Sequence, residues 1–394
     1  MGTGAGHGGV RMPKWTRRFG AVAVASAGLL GVAAGAQAAT PAVSMGAATT
    51  AVTLPAGCTA NSVKVVNSPD GSYHGYIQAT CDKRAKLFYV SRSSAGTWAL
   101  RSTAIDMPIP YAIAVDNTGT YFVGKRSNHD LVLVRRNGNG SLSTVHVLEK
   151  WDGLDFIRIE RATVIAANGN YWAAWDDNDY SLDFQDHSVK QASTMSPPIS
   201  PSDSGLTRAY APTLVSRGSG SPRLIVCEMS TDWNPDGPVP STVVATETSG
   251  KWRESGQFSD DSCADVPDTN SPGVAAYLNG HLYFSRDFSN GIYDDRSGTV
   301  QRTALTGSTR PEAVLGITGT RVAFVAADKA GREQEWLQNS DGTFSAAPTG
   351  VLSAAPVPVH QDQIINRSGK LIRLFIQDDG HNHGGRRLLE QIQR

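Results

Sequence analysis

Ala162-Thr163-Val164-Ile165-Ala166-Ala167-Asn168-Gly169-Asn170-Tyr171-Trp172-Ala173-Ala174-Trp175 sets two short apolar runs on either side of an Asn-Gly pair. Asn-Gly supplies the positive φ angles of a tight turn, so the stretch reads as a β-hairpin. The same figure recurs along the chain. Toward the N-terminus it appears as Val63 to Val66 with Tyr73 to Ala79, and as Ala112 to Val115 with Tyr121 to Gly124. Toward the C-terminus it appears as Pro212 to Val215 with Arg223 to Glu228, and as Val274 to Leu278 with His281 to Ser285. Ala313 to Ile317 with Arg321 to Ala326, and Gln363 to Ile365 with Lys370 to Ile376, complete a set of seven. The turn glycines are Gly71, Gly119, Gly169, Gly220, Gly280, Gly319 and Gly369, a period near 50 residues.

Each hairpin is followed by a third apolar run and a second Gly turn. Examples are Lys86 to Ser91 before Gly96-Thr97-Trp98 and Glu333 to Gln338 before Asp341-Gly342-Thr343-Phe344. Four short strands at this period make the blade of an all-β propeller. Seven four-stranded blades are expected, with six as the alternative. The seventh repeat runs out after its third strand, Arg387 to Gln393. An open edge invites aggregation. Thr50 to Leu54, ahead of the first repeat, is expected to supply the missing outer strand and close the ring.

Residues 1–38 carry Arg11, Lys14, Arg17 and Arg18 and no acid. An apolar run, Phe19 to Ala34, leads to Ala36-Gln37-Ala38. This is the pattern of a signal peptide cut after Ala38; Arg17-Arg18 leave both Sec and twin-arginine export open. Residues 39–49 read as a flexible linker and 50–394 as a single propeller domain. The remainder holds 32 basic and 36 acidic side chains, a net of −4. That balance excludes a nucleic-acid partner, which demands a basic face. No second long apolar stretch exists to span a membrane after cleavage, and a monomer is expected.

Cys58, Cys81, Cys227 and Cys263 form no Cys-x-x-Cys, so disulfides in an oxidising compartment are expected rather than zinc. Opposed residues in the first hairpin should sum to about 140, and Cys58 and Cys81 fit that register. The favoured pairing is Cys58–Cys81 with Cys227–Cys263.

In a propeller the strand 2–3 loops and the blade-to-blade loops share one face. On it fall Asp82, Asp130, the run Asp176-Asp177-Asn178-Asp179, Asp232, Asp287, Asp328 and Asp378-Asp379. Asp suits turns, and a rim of acids also suits hydroxyls or a cation. Asp176, Asp177, Asp179 and Asp232 are the candidate catalytic carboxylates, since glycoside hydrolysis needs two. Asp177, Asp179, Ser181 and Asp183 alternate as in a calcium loop, but Leu182 stands where such a loop wants Gly. Calcium is therefore a minor expectation, and no metal ligand is assigned. Arg158, Glu160 and Arg161, Arg208 and Tyr210, and Arg310 and Glu312 come from blade-to-blade loops. An arginine fork suits a carboxylate, and such residues could equally pair with the acidic rim. Trp151, Trp175 and Trp233 map to the same face, where an indole suits the C–H face of a sugar. Trp175 could also pack between blades. His381-Asn382-His383 reads as a solvated loop. Neither a nucleophile elbow nor a phosphate or dinucleotide loop occurs.

Ser94-Ala95-Gly96-Thr97-Trp98, Thr248-Ser249-Gly250-Lys251-Trp252 and Asn339-Ser340-Asp341-Gly342-Thr343-Phe344 resemble degenerate Asp-box turns. Those turns mark sialidase-like propellers. The resemblance implies a secreted glycosidase with an arginine cluster, an acid/base Asp and a Tyr–Glu nucleophile pair. The chain has no Arg-Ile-Pro and no complete Ser-x-Asp-x-Gly-x-x-Trp box, and no catalytic residue is carried over. The functional expectation is a secreted propeller that binds or cleaves an extracellular glycan on the 2–3 loop face near repeats two to four. The alternative is a non-enzymatic scaffold for a protein or a cell-wall component.

Overall fold

The computed structural model describes residues 42–151, 153, 157–159, 161–179, 187–193, 196–199, 209–217, 222–229, 240–248, 251–259, 274–285, 291–296, 301–304, 308–318, 321–328, 332–367, 370–380 and 384–394. They form seven antiparallel blades and, among the described residues, no helix. Blade 1 runs Cys58–Asn67, Tyr73–Cys81, Arg84–Arg92, Trp98–Ser102 from its inner to its outer strand. Blade 2 runs Ile109–Val115, Gly119–Lys125, Leu131–Asn137, Leu142–Glu149. Each of the seven expected hairpins is present as the first two strands of a blade. The seven first strands touch their neighbours in cyclic order, and the last of them returns to the first. The structure is thus a closed seven-bladed β-propeller.

The apolar runs are continuous because both faces of a blade are covered. In blade 2, Tyr121, Val123, Leu131 and Leu133 pack with Val164 and Tyr171 of blade 3. Phe122, Val132 and Val134 pack with Tyr76, Leu87 and Tyr89 of blade 1. Period-2 side-chain geometry divides one run between two interfaces. The hairpin turn at Asn168-Gly169 has both residues at positive φ, 53° and 81°, as a primed turn requires.

The chain's two ends meet in blade 7. Thr49–Thr53 pairs antiparallel with Gly384–Ile392, Thr50 opposite Leu389. It is the outer strand that the sequence leaves missing. Ala42–Val43 adds a parallel edge to Phe344–Leu352 of blade 6, and Met45 bridges to Gln393. These pairings fall inside the stretch read as a linker. The seam between blades 7 and 1 is then locked by polar groups. Arg92 Nε lies 2.9 Å from Glu390 Oε1, both side chains nearly fully buried. Trp98 Nε1 donates to Glu390 Oε2 at 3.2 Å. Gln363 accepts from Val65 N and donates to Val65 O, so its amide mimics a strand partner. Cys58 and Cys81 are directly opposed and form a disulfide. Cys227 is disulfide-bonded as well; its expected partner, Cys263, lies outside the described residues.

Candidate functional site

On the face of the 2–3 and blade-to-blade loops, the loop from Arg126 to Asp130 in blade 2 has the fullest geometry among the described residues. Arg126 N donates to Asp130 O at 2.9 Å and His129 N donates to Arg126 O at 3.0 Å, closing a five-residue turn. Asn128 Nδ2 donates to Asp130 Oδ2 at 2.9 Å. Asp130 Oδ1 accepts from the backbone N of Trp151 at 3.0 Å, which ties the blade 2–3 connection to this loop. That bond, above all, holds the Asp130 carboxyl below its usual range, so it stays ionised. The Trp151 indole is 42% exposed and its ring lies 5.0 Å from the His129 ring, tilted by 45°. On the other side of the loop, Ser127 donates its N–H and its hydroxyl to Asp106. A pocket of about 440 Å³ opens there, lined by Ile105, Asp106, Arg126, Asn128 and Leu142. An exposed indole–imidazole pair thus stands beside a pocket with a carboxylate, an amide and a guanidinium.

Among the described residues the same five-residue turn occurs four more times: Ser68 to Ser72, Ser93 to Thr97, Asn137 to Ser141 and Asn339 to Thr343. In each the first N–H bonds the fifth carbonyl, and the fourth N–H bonds the first carbonyl. The fourth residue is Gly71, Gly96, Gly140 or Gly342, with φ between 78° and 96°. Three of these turns carry an Asp or Asn at the third place, whose oxygen accepts from the fifth residue's N–H and hydroxyl: Asp70–Ser72, Asn139–Ser141 and Asp341–Thr343. In the Arg126 turn the fourth place is His129, at φ 69°. A β-carbon in this region costs on the order of 1 kcal/mol. Sequence reading missed the loop because His129 hides the motif that Gly announces elsewhere.

Several expected site residues sit elsewhere. Trp175 is fully buried between blades, and its Nε1 donates to the Glu149 carboxylate, which also pairs with Lys190. No ring face is left for a sugar, so Trp175 is packing. Asp176 is 3% exposed; its Oδ1 accepts from Arg161 N at 2.7 Å and its Oδ2 from Ala211 N at 3.2 Å. Ala211 stands at φ 51°, and Asp176 is the staple that joins blade 3 to that bend of blade 4. A carboxylate already bonded to two amides is poorly placed as an acid or base. Tyr210 is buried with Ala211 and Cys227. Arg161 is half-buried and contributes its backbone to the Asp176 staple. The backbones of Arg158, Asp177, Asp179, Arg310 and Glu312 lie in strands, while their side chains fall outside the description. Glu160, Arg208, Asp232, Trp233, His381-Asn382-His383 and the calcium-like positions Ser181 and Asp183 lie outside the described residues. The structure therefore brings together Trp151 and Asp130 of the expected set, and adds His129, Asn128, Asp106 and Arg126.

No protein-family model matches the sequence, and no curated protein matches it. Among solved structures, the chain is similar to a mutant Aleuria aurantia lectin in complex with α-methyl-L-fucoside, at TM-score 0.42 and 10% identity over 77% of this chain and 99% of that one. It is similar to an α-L-arabinanase of Penicillium chrysogenum complexed with arabinobiose, at TM-score 0.45 and 11% identity over 89% and 98%. It is similar also to an acylaminoacyl peptidase of Pyrococcus horikoshii, at TM-score 0.48 and 11% identity over 82% and 51%. The fold rests on the protein's own strand pairing, and no activity is drawn from these neighbours.

Proposed function

We propose that the protein is exported after loss of residues 1–38 and binds an extracellular glycan through the loop around His129 and Trp151. The supporting observation is the fifth turn. Four copies use glycine at the left-handed position, and the copy on this face holds His129 there at a conformational cost, with its ring against an exposed tryptophan. Strain kept by a side chain at the surface points to a use for that side chain. A sugar would lay its C–H face on Trp151 and present hydroxyls to His129, Asn128 and Arg126.

Binding fits the described groups better than cleavage. A glycosidase needs a carboxyl with a raised pKa to act as acid. Asp130 is shifted the other way, and Asp106 is bonded to a backbone N–H. Titration against a panel of neutral and uronic-acid oligosaccharides tests the reading. Trp151→Ala is expected to abolish the response of the best ligand with the melting temperature unchanged. Equal affinity in Trp151→Ala would place the site elsewhere.

A further inference from the structure

Blade 1 holds six basic side chains and two acidic ones, although the chain beyond residue 38 carries a net of −4. Lys83, Arg84 and Lys86 stand together at its 2–3 turn, all exposed. That turn is built against local preference. Cys81 pairs with Arg84, so the connection is the two residues Asp82-Lys83, at φ 49° and 65°. A turn of this shape favours Asn-Gly. Asn168-Gly169 and Asn279-Gly280 fill the same two places in the 1–2 turns of the opposite face. On the 2–3 face a lysine takes the glycine position, as His129 does in blade 2. A β-carbon there has a conformational cost, and strain kept by an exposed side chain points to a use for it.

Blade 7 extends the cluster. Arg84 and Lys86 lie opposite Cys81 and Ala79, on the side of blade 1 that packs against blade 7. Arg386 reaches the same seam: its guanidinium donates to Leu54 O at 2.9 Å, and Leu54 N donates to Arg386 O at 2.8 Å. Asp82 N donates to Gly57 O at 3.2 Å. Leu54 and Gly57 are three positions apart, so the Cα atoms of these two anchoring points lie at most about 11 Å from one another. Arg387 follows, also exposed. None of these five cations forms an ion pair among the described residues. The acids nearby are Asp82 itself and, in the blade 7 loop, Asp378 and Asp379; Asp378 Oδ1 accepts from Gly380 N at 2.8 Å.

We propose that the blade 7–blade 1 seam on the 2–3 face, formed by Lys83, Arg84, Lys86, Arg386 and Arg387, binds an anionic polysaccharide that carries carboxylates on successive sugars. Arginine forks take a carboxylate through two hydrogen bonds, and the lysines add attraction at longer range. Cations spread over two blades match a chain of anions better than one small anion. The net charge of −4 disfavours nucleic acid, which would meet repulsion beyond the seam. The choice of a polysaccharide rests on the glycan reading of this face; the anionic character of the partner does not.

Polygalacturonate is the probe, titrated into the full chain, with dextran as the neutral control. Polygalacturonate is expected to bind at low salt and to weaken several-fold as salt rises, while dextran shows no salt-dependent binding. Arg84→Gln with Lys86→Gln, and separately Arg387→Gln, are expected to weaken polygalacturonate several-fold. Lys83→Gly is expected to raise the melting temperature while weakening the polymer, an opposition that a purely structural turn would not give. Trp151→Ala separates the two readings. Full polygalacturonate binding in that variant, lost in the charge variants, supports this surface and moves the glycan site away from Trp151. Loss in Trp151→Ala with none in the charge variants keeps that site and overturns this surface. Equally tight binding of single-stranded DNA at the same charge concentration overturns the polysaccharide as partner.

Discussion

The two interfaces of blade 1 are built on opposite plans. Toward blade 7, the charge of Arg92 is met by Glu390, the Trp98 indole is bonded and the Gln361 and Gln363 amides clamp the neighbouring strand. Toward blade 2, Lys64 and Tyr76 have no ion pair and no side-chain hydrogen bond among the described residues, and the loop above holds His129 at a left-handed φ of 69°. Chain connectivity contributes to the difference, although the consecutive blades 2 and 3 and blades 6 and 7 also carry ion pairs, Lys190–Glu149 and Arg373–Glu333. Blades 1 and 2 are consecutive and joined by a short segment, so chain entropy holds them together. Blades 7 and 1 are joined by residues more than 290 positions apart, such as Val63 and Gln361. A junction closed by the two chain ends needs directional bonds to hold its register.

The largest effect is expected at the seam. Glu390→Ala leaves Arg92 buried without its partner and should cost about 3–5 kcal/mol, read by denaturant unfolding. Lys64→Met, at the other interface, should raise stability instead, because it removes a cation that has no partner. A loss at both positions would erase the distinction between the interfaces.

Opening the disulfide with Cys58→Ser and Cys81→Ser frees a loop of 23 residues. The expected loss is about 3 kcal/mol, measured under conditions that leave the Cys227 bond intact.

His129→Gly sharpens the other side. It relieves the left-handed strain and should stabilise the protein by about 1 kcal/mol while weakening glycan affinity. A variant that is less stable and binds equally well would make His129 an ordinary turn residue.

The smallest effect belongs to Asp70. The Ser72 hydroxyl and N–H hold its carboxyl below the usual range. Its contribution is therefore present above the unfolded pKa and lost as pH falls through the lower folded value. Asn139 makes the same two bonds with an amide oxygen. Asp70→Asn should leave the neutral melting temperature unchanged and flatten its decline at acid pH.

Hairpins, blade count and ring closure were legible because they depend on local chemistry and period. Asn-Gly supplies a turn wherever it occurs, and an apolar run of five or six residues can bury both faces only between two neighbours. The Cys58–Cys81 register followed from counting outward from Gly71. The closing strand followed from a seventh repeat that stops one strand short. Site residues were less legible. Trp175 and Trp151 look alike in sequence, and a blade 2 carboxylate together with its blade 3 neighbours decides that one is core and the other surface. Asp176 reads as one acid of a cluster until the amides of Arg161 and Ala211 arrive to use it.

The amino-acid sequence by itself determined an all-β chain of four-stranded units, seven favoured over six, with Thr50 to Leu54 expected to complete the last of them. Strand period and turn chemistry act over a few residues, and that information is complete in one dimension. Tertiary structure alone decided which polar groups are consumed by neighbouring blades and which are left to meet a ligand. Whether a carboxylate, an indole or a lysine finds a partner depends on groups tens to hundreds of residues away, and only the closed ring brings those groups within a hydrogen bond's reach.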